Sequence, residues 1–271
     1  MPDSAIGRVD HALEVVQLTD SHLFGEPQGQ LLGLDTYDSL QRVIELVLAE
    51  RSRIDLVLAT GDLSQDGSTD SYRYFRQLSE RIAAPVRWCP GNHDQRENMH
   101  EVARSSGLMN PVLDLGNWRI VLLDSLIPGK VFGRLHAAQL ALLDKTLGEA
   151  PERHCLVCLH HHPVVIGSRW MDRLGLRNAA ALFDILARHA QVRVLLWGHI
   201  HQAFDQVRDG LRLLASPSTC VQFEPGSKTF QVSSQAPGYR WLRLYEDGRL
   251  DTGVSRITGF EFQVGADIKG Y

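Results

Sequence analysis

Short apolar runs alternate with amphipathic helical patterns over most of this chain, and that alternation limits the fold more than any other feature. The predicted strands are Leu13–Thr19, Ile54–Thr60, Val86–Cys89, Trp118–Asp124, Cys155–Leu159 and Val192–Trp197. The predicted helices are Thr36–Arg51, Ser68–Arg81, Gln95–Ser106, His136–Leu147 and Asn178–His189. Strands that alternate with helices favour parallel pairing, because each helix returns the chain to the edge where the next strand starts. The pattern indicates the α/β class.

The pattern changes after Ile200, where tight turns such as Arg208-Asp-Gly and Glu246-Asp-Gly separate short apolar runs. We predict strands over Phe204–Arg208, Leu211–Ala215, Tyr239–Tyr245 and Leu250–Ile257. Turns of this kind join antiparallel neighbours, so the strands indicate a mainly antiparallel C-terminal sheet. Two mixed sheets packed together with helices outside account for the whole pattern. Because no linker or repeat divides the chain, we expect a single domain over residues 1–271.

The composition is that of an ordinary globular protein, with 44% hydrophobic residues, 22% charged residues and a formal charge of −4. It excludes collagen-like, disulfide-scaffold and disordered chains. The acidic balance argues against a nucleic-acid partner, although a local site can still bind a small anion. No signal segment precedes the first strand and no apolar run is long enough to cross a bilayer. We therefore expect a cytoplasmic protein with no membrane partner, either a monomer or a homodimer.

Cys155 and Cys158 form a CxxC pattern inside a predicted strand. Residues three apart in a strand face opposite sides of the sheet, so this pair is poorly placed for a disulfide or a zinc site. We expect these residues, with Cys89 and Cys220, to be reduced core cysteines.

Polar clusters follow five of the predicted strands directly. They are Asp20-Ser-His22, Gly61-Asp62, Gly91-Asn-His-Asp94, His160-His-His-Pro163 and Gly198-His-Ile-His201, and they contain seven of the 12 histidines. Each cluster alone could be a turn, a helix cap or a strand end. Ligands of α/β sheets bind outside the carboxyl ends of the strands, so the five together predict one shared site.

The donors in these clusters are imidazoles, carboxylates and one amide, without a thiolate. This set suits Fe, Mn, Zn or Co, and it is too large for one tetrahedral ion. Two ions sharing a carboxylate account for it better, because two divalent ions would leave the cluster positively charged. Such a centre attracts phosphate and generates hydroxide at neutral pH.

The order DxH, GD, GNH(D/E), histidine before a proline turn and GHxH resembles the calcineurin-like metallophosphoesterase superfamily over about residues 13–215. Within it, the chain is similar to the bacterial class III 3′,5′-cyclic AMP phosphodiesterases. That similarity is carried by Thr19-Asp-Ser-His-Leu-Phe, Ala59-Thr-Gly-Asp-Leu-Ser-Gln-Asp, Leu176-Arg-Asn-Ala, Ser216-Pro-Ser-Thr-Cys-Val-Gln-Phe and the tail from Ala236. The resemblance implies a four-layer α/β/β/α sandwich in which about 216–271 completes the second sheet and forms a tail. It also implies hydrolysis of cyclic AMP to 5′-AMP by metal-bound hydroxide.

The resemblance also implies a ligand set, with Fe and/or Mn as the two ions and Zn or Co as alternatives. One ion would take Asp20, His22, Asp62 and His201, and the other Asp62, Asn92, His161 and His199, with Asp62 bridging. In the triple-histidine run we choose His161, because the family ligand lies two residues before the proline, and His162 is the alternative. His160 points to the opposite side of an extended strand from His161, so it is expected to support the site.

The substrate contacts implied by the resemblance are His22, Asp62, Asn92, His93 and His201. His93 would contact the phosphate and protonate the leaving oxygen, and Asp94, the second expected catalytic residue, would orient His93.

Four other interpretations define the limits of this prediction. A glycerophosphodiesterase or a broader phosphodiesterase of the same superfamily shares these motifs. A metal-dependent nuclease would use the same centre, and a non-catalytic scaffold would have lost ligands that are present here. Purple acid phosphatases carry a tyrosine where this chain has Gln65, which argues against a tyrosinate–iron centre. Arg169, Trp170 and Arg177 follow the histidine run and are candidate substrate contacts.

Overall fold

The computed structural model describes residues 12–260 and contains two β-sheets flanked by helices. The strands are β1 (Leu13–Leu18), β2 (Gln30–Leu31), β3 (Leu34–Asp35), β4 (Leu56–Thr60), β5 (Val86–Cys89), β6 (Val112–Leu115), β7 (Trp118–Leu122), β8 (His154–Cys158), β9 (Val192–Trp197), β10 (Phe204–Arg208), β11 (Leu211–Ala215), β12 (Gln222–Phe223), β13 (Val232–Ser233), β14 (Gly238–Leu244) and β15 (Leu250–Arg256). The helices are α1 (Thr36–Glu50), α2 (Thr69–Glu80), α3 (Arg96–Ala103), α4 (Ala137–Gly148) and α5 (Ala179–Leu186), with a 3₁₀ turn at Met171–Leu174.

The two large sheets form the middle layers of a sandwich. One sheet has the order β15-β14-β1-β4-β5 and the other has the order β10-β11-β9-β8-β7-β6. One apolar cluster, which includes Leu58 and Leu196, lies between the sheets. A second cluster packs α1, α2 and α3 on the first sheet, and a third packs α4 and α5 on the second. Three cores between four layers confirm the predicted α/β/β/α sandwich.

The parallel strands bring their carboxyl ends to one end of the sandwich. Strands β1, β4 and β5 run parallel in the first sheet, and β7, β8, β9 and β11 run parallel in the second. A hydrogen bond from Gln17 Nε2 in β1 to the carbonyl oxygen of Trp197 at the end of β9 joins the two sheets there, at 3.1 Å. The loops that follow both sets of strands therefore meet.

The predicted strands and helices of the first 200 residues are present, with ends that differ by a few residues. The expected C-terminal antiparallel sheet is wrong, because its two hairpins separate. The β10–β11 hairpin extends the second sheet beside β9, whereas β14–β15 pairs with β1 and completes the first sheet, not the second. The strand β6 and the short strands β2, β3, β12 and β13 were not predicted, since their runs are too brief to show a periodicity.

Two further expectations concern cysteines and membranes. Cys155 and Cys158 are free and buried, as are Cys89 and Cys220, which confirms the expected core cysteines. Between residues 12 and 260, none of the helices has the length and apolar character needed to traverse a bilayer.

Candidate metal centre

The five polar clusters meet at the carboxyl ends of β1, β4, β5, β8 and β9. Their carboxylates and imidazoles are buried, and His93 is half-buried. Burial of so many ionisable groups carries a large desolvation cost unless they are paired or bind metal ions. The geometry divides the donors into two overlapping groups.

The first group consists of Asp20, His22 and His201, whose donor atoms all lie within 4.8 Å of one another. His22 Nε2 is 3.2 Å from His201 Nε2, and His201 Nε2 is 3.4 Å from Asp20 Oδ1. Two imidazoles and a carboxylate converging on one point are a typical ligand set for a first-row divalent metal.

The second group surrounds His160. Its Nε2 is 3.1 Å from Asp62 Oδ2 and 3.1 Å from Asn92 Oδ1. Asp62 Oδ2 is also 3.9 Å from His22 Nε2 in the first group. The Asp62 carboxylate therefore lies between the groups, which is the position a bridging ligand needs.

Hydrogen bonds fix which ring nitrogen of each histidine faces the centre. Carbonyl oxygens only accept hydrogen bonds, so the ring nitrogen that contacts one must donate, and the other nitrogen is left as a metal donor. The orienting contacts are His160 Nδ1 to Thr60 O (2.8 Å), His201 Nδ1 to Val221 O (2.7 Å), His199 Nε2 to Leu174 O (3.1 Å) and His22 Nδ1 to Gln65 Oε1 (2.7 Å). His199 thus presents Nδ1, which is buried without a hydrogen-bond partner. An orphaned imidazole nitrogen in a cluster with His160 and His161 fits a metal site.

In the triple-histidine run, the choice of His161 as ligand stays a prediction. His161 was the expected ligand, but its Nδ1 contacts Ser125 Oγ at 2.8 Å and its Nε2 contacts the carbonyl oxygen of Val131 at 3.0 Å. A ring nitrogen of His161 still lies within 4.8 Å of those of His160 and His199. His162 stacks on His199, with ring centroids 5.5 Å apart. The argument from strand alternation does not apply, because β8 ends at Cys158 and the run lies beyond it.

The ligand loops use backbone conformations that side-chain-bearing residues rarely adopt. Of the nine described non-glycine residues with positive φ, five lie in the clusters: Asp20 (55°), His22 (48°), Asp62 (49°), His199 (68°) and His201 (50°). Left-handed backbone at aspartate or histidine is uncommon and stores strain. The carbonyl oxygen of Gly61, at φ 96°, accepts a hydrogen bond from Asp20 N at 3.0 Å. The strained turns are therefore tied to one another by backbone hydrogen bonds.

A buried polar network beneath these loops was not predicted. Ser218 Oγ donates to the carbonyl oxygen of Asp20 at 2.7 Å, and Thr219 Oγ1 donates to Ser21 Oγ at 2.9 Å. Gln17 Nε2 donates to Thr60 Oγ1 at 2.6 Å. These residues hold the left-handed turns from behind. The sequence feature that could have indicated this network is the Ser216-Pro-Ser-Thr-Cys segment, which is polar although it follows an apolar strand.

The buried charges shift one another's pKa values. Burial alone would raise the pKa of Asp62, but the imidazoles of His160 and His93 hold it well below its usual range. Burial alone would lower the pKa of His160, but the Asp62 carboxylate raises it to about 9. Burial lowers the pKa of His22 to about 3 and that of His199 well below its usual range. His22 and His199 are therefore neutral at pH 7, as metal ligands must be.

His93 and Asp94 have different surroundings. The backbone N–H of His93 donates to Asp62 Oδ1 at 2.8 Å, and its ring centroid is 5.0 Å from that of His22. The Asp94 carboxylate accepts hydrogen bonds from the backbone N–H groups of Gly91 (2.8 Å) and Ser64 (3.1 Å). Burial and the Asp62 charge raise the pKa of Asp94 to about 7. These contacts make Asp94 a link between the loops that follow β4 and β5, and its expected orienting role stays a prediction.

The sequence profile described as calcineurin-like phosphoesterase matches residues 13–203, which contain all five clusters. The chain belongs to the calcineurin-like phosphoesterase family. The predicted membership in this family is confirmed. The matched span starts at β1 and ends just after His201, so it covers the strands that carry the candidate ligands.

Relatives within the phosphoesterase family extend over nearly the whole chain. The 3′,5′-cyclic adenosine monophosphate phosphodiesterase CpdA of Pseudomonas aeruginosa is 59% identical over 262 residues, which are 97% of this chain and 96% of the relative. The protein of the same name in Escherichia coli K12 is 42% identical over 261 residues, 96% of this chain and 95% of the relative.

Solved structures of other phosphoesterases share the fold. A dimetal phosphatase from Danio rerio superposes with a TM-score of 0.63 at 16% identity, covering 90% of this chain and 98% of that one. A purple acid phosphatase from yellow lupin superposes with a TM-score of 0.61 at 13% identity, covering 94% of this chain and 53% of the other. At this identity the likeness supports the fold alone.

Proposed function

We propose that this phosphoesterase hydrolyses 3′,5′-cyclic AMP to 5′-AMP and so lowers the cellular concentration of cyclic AMP. The observation that carries the choice of substrate is the 59% identity to a protein named as a cyclic AMP phosphodiesterase, over 97% of this chain. The converging carboxylates and imidazoles support a metal-dependent hydrolysis.

Two metal ions would be held by residues of all five loops. One ion would bind Asp20, His22, Asp62 and His201, and the other would bind Asp62, Asn92, His160 and His199. We propose His160 in place of His161, because His160 Nε2 is 3.1 Å from both Asp62 and Asn92. The donor set suits Fe and/or Mn, with Zn or Co as alternatives. When bound, the ions would supply an activated water and neutralise charge on the phosphate.

Side chains of the protein would donate the proton to the leaving group and contact the phosphate. Water adds to phosphorus, the bond from phosphorus to the 3′ oxygen breaks, and that oxygen gains a proton. His93 stands at the edge of the centre, beside His22 and Asp62, and we propose that it gives this proton. The contacts with the phosphate would come from His93 and Asn92 and from the faces of His22, Asp62 and His201 that line the centre.

A side-by-side assay tests the substrate. We expect turnover of cyclic AMP to exceed that of glycerophosphodiesters by a large factor, and a nicked plasmid to be left intact. Efficient hydrolysis of glycerophosphodiesters with slow turnover of cyclic AMP would replace the proposed function by that of a broader phosphodiesterase. In ¹⁸O water, a single turnover should place the label in the phosphate of AMP; unlabelled product would indicate attack by an enzyme oxygen.

We further propose that the protein acts in the cytoplasm. The four cysteines are free and buried, a state that a reducing compartment maintains. Fractionation of the native host should recover the activity with cytosolic markers, and recovery with periplasmic or membrane markers would contradict this location.

A further inference from the structure

Arg177 and Phe132 form a pair that the proposed reaction does not yet use. The guanidinium carbon of Arg177 lies 4.2 Å from the centroid of the Phe132 ring. The Arg177 side chain is exposed and makes no ion pair with the residues between 12 and 260. An arginine that packs on an aromatic ring and lacks a carboxylate partner is available to bind a ligand.

Both members of the pair belong to segments that are hydrogen-bonded to the histidine run. His161 Nε2 donates to the carbonyl oxygen of Val131 at 3.0 Å, next to Phe132. The backbone N–H of Leu176, next to Arg177, donates to the carbonyl oxygen of His162 at 2.9 Å. The pair is therefore attached on both sides to residues at the edge of the metal centre.

The two segments also hold each other. The backbone N–H of Arg177 donates to the carbonyl oxygen of Gly133 at 2.9 Å. A Cβ atom at Gly133 would collide with the ring of His161, so this segment lies directly against the histidine. The Asn178 side chain accepts from Leu135 N at 3.0 Å and donates to Leu135 O at 2.8 Å. The backbones that carry the pair are thus fixed before any ligand arrives, which lowers the entropy cost of binding.

The surroundings of the pair are cationic. Lys130, Arg134 and Arg173 lie on the same segments, are exposed, and like Arg177 make no ion pair within the described part of the chain. Several other exposed arginines are paired, as Arg188 is with Asp144 at 2.9 Å. A local excess of positive charge on a chain with a net charge of −4 favours an anionic ligand.

We propose that Arg177, held against Phe132, binds the nucleobase of the substrate while the phosphate occupies the metal centre. A guanidinium that packs on one ring can take a second planar ring on its opposite face. This inference rests on the proposed function, and it makes Arg177 a specificity-determining residue. Because stacking grows with ring area, Arg177 favours purine over pyrimidine cyclic nucleotides and does not separate adenine from guanine.

The experiment compares Arg177→Gln and Arg177→Lys with Arg193→Gln. Arg193 is a matched control: it is exposed and makes no ion pair with the described residues, but it lies near the start of β9, away from the metal centre. The substrates are cyclic AMP, cyclic CMP and methyl p-nitrophenyl phosphate, a small diester without a base. Inhibition of the small-diester reaction by 5′-AMP and by inorganic phosphate gives a readout of binding.

We expect both Arg177 variants to raise KM for cyclic AMP and the inhibition constant for 5′-AMP about tenfold, with kcat nearly unchanged. The preference for cyclic AMP over cyclic CMP should fall, while small-diester kinetics, phosphate inhibition and the Arg193 variant stay unchanged. Equal losses for 5′-AMP and phosphate would overturn the proposal in favour of phosphate binding, and full rescue by lysine would overturn stacking. If cyclic AMP is not hydrolysed, the proposed function fails, and inhibition by 5′-AMP still decides the role of Arg177.

Discussion

The two sheets contribute different chemistry to the same centre. The loops of the first sheet supply every oxygen donor, from Asp20, Asp62 and Asn92, together with one imidazole, from His22. The loops of the second sheet supply imidazoles alone, from His160, His199 and His201. The carboxylates and most of the candidate imidazole ligands therefore come from opposite halves of the sandwich, and the candidate site is complete only when the sheets pack together.

Removing the bridging carboxylate of the first sheet should have the largest effect. Asp62→Ala takes a charged donor from both ions, so we expect both to be lost and turnover to fall by about 10³-fold or more. Metal analysis and cyclic AMP turnover on protein purified without added metal measure this. Circular dichroism shows whether the variant is folded, and a folded variant that keeps two ions per chain would show that Asp62 does not bridge.

His93 should behave differently, although it follows a first-sheet strand. His93→Ala should keep close to two metal ions and lose about 10²–10⁴ in turnover of cyclic AMP, because the ribose oxygen is a poor leaving group without a proton. A p-nitrophenyl diester hardly needs that proton, so its loss should be much smaller. Equal losses on both substrates would assign His93 to phosphate binding, and loss of metal would make it a ligand.

On the second sheet, a pair of variants distinguishes neighbouring histidines. His160→Ala should lose one of the two ions and most of the activity, because it removes a donor 3.1 Å from Asp62 Oδ2. His161→Ala should retain both ions and lose less activity, since His161 contacts Ser125 and Val131. The reverse pattern, read by metal analysis, would restore His161 as the ligand.

Gln65 tests how the first sheet orients its imidazole. His22 is held by the Gln65 side chain, whereas His160, His199 and His201 are held by backbone carbonyls that substitution cannot remove. Gln65→Met should weaken metal binding about 10–100-fold. Gln77→Met, at an exposed position on α2, serves as the control. Unchanged metal affinity in a competition with a chelator would show that the hydrogen bond does not matter.

The smallest effect concerns the acid stability of metal-free protein. The folded-state pKa values of His22, His161, His162 and His199 lie below the unfolded value of 6.5, so the unfolded chain binds more protons as the pH falls below 6.5. The raised pKa values of Asp94 and His160 oppose this with two groups. The melting temperature should therefore be lower at pH 4.5 than at pH 6, by about 2–4 °C for each kcal/mol lost. An unchanged or higher value at pH 4.5 would contradict the neutral histidines.

The positions of the candidate ligands could be predicted because each cluster follows its strand directly. Asp20, Asp62, Asn92, His199 and His201 lie together as expected from the rule that strand ends converge. The directions in which the His160 and His161 side chains point could not be predicted from strand alternation, because they depend on where β8 ends. The partner of the β14–β15 hairpin could not be predicted either, since pairing with β1 joins residues more than 200 positions apart. The buried polar network that includes Gln17, Ser218 and Thr219 could not be predicted, because a sequence does not distinguish buried polar residues from exposed ones.

The left-handed backbone of Asp20, His22, Asp62, His199 and His201 bears on how such a centre persists through evolution. Each of these residues occupies a conformation that glycine adopts at less cost, and the aspartates also bring charge into the interior. Substitutions that relieve this strain would stabilise the fold. Selection for folding stability alone would therefore replace these residues first. A complete ligand set is a feature that only continued selection for its chemistry would hold in place.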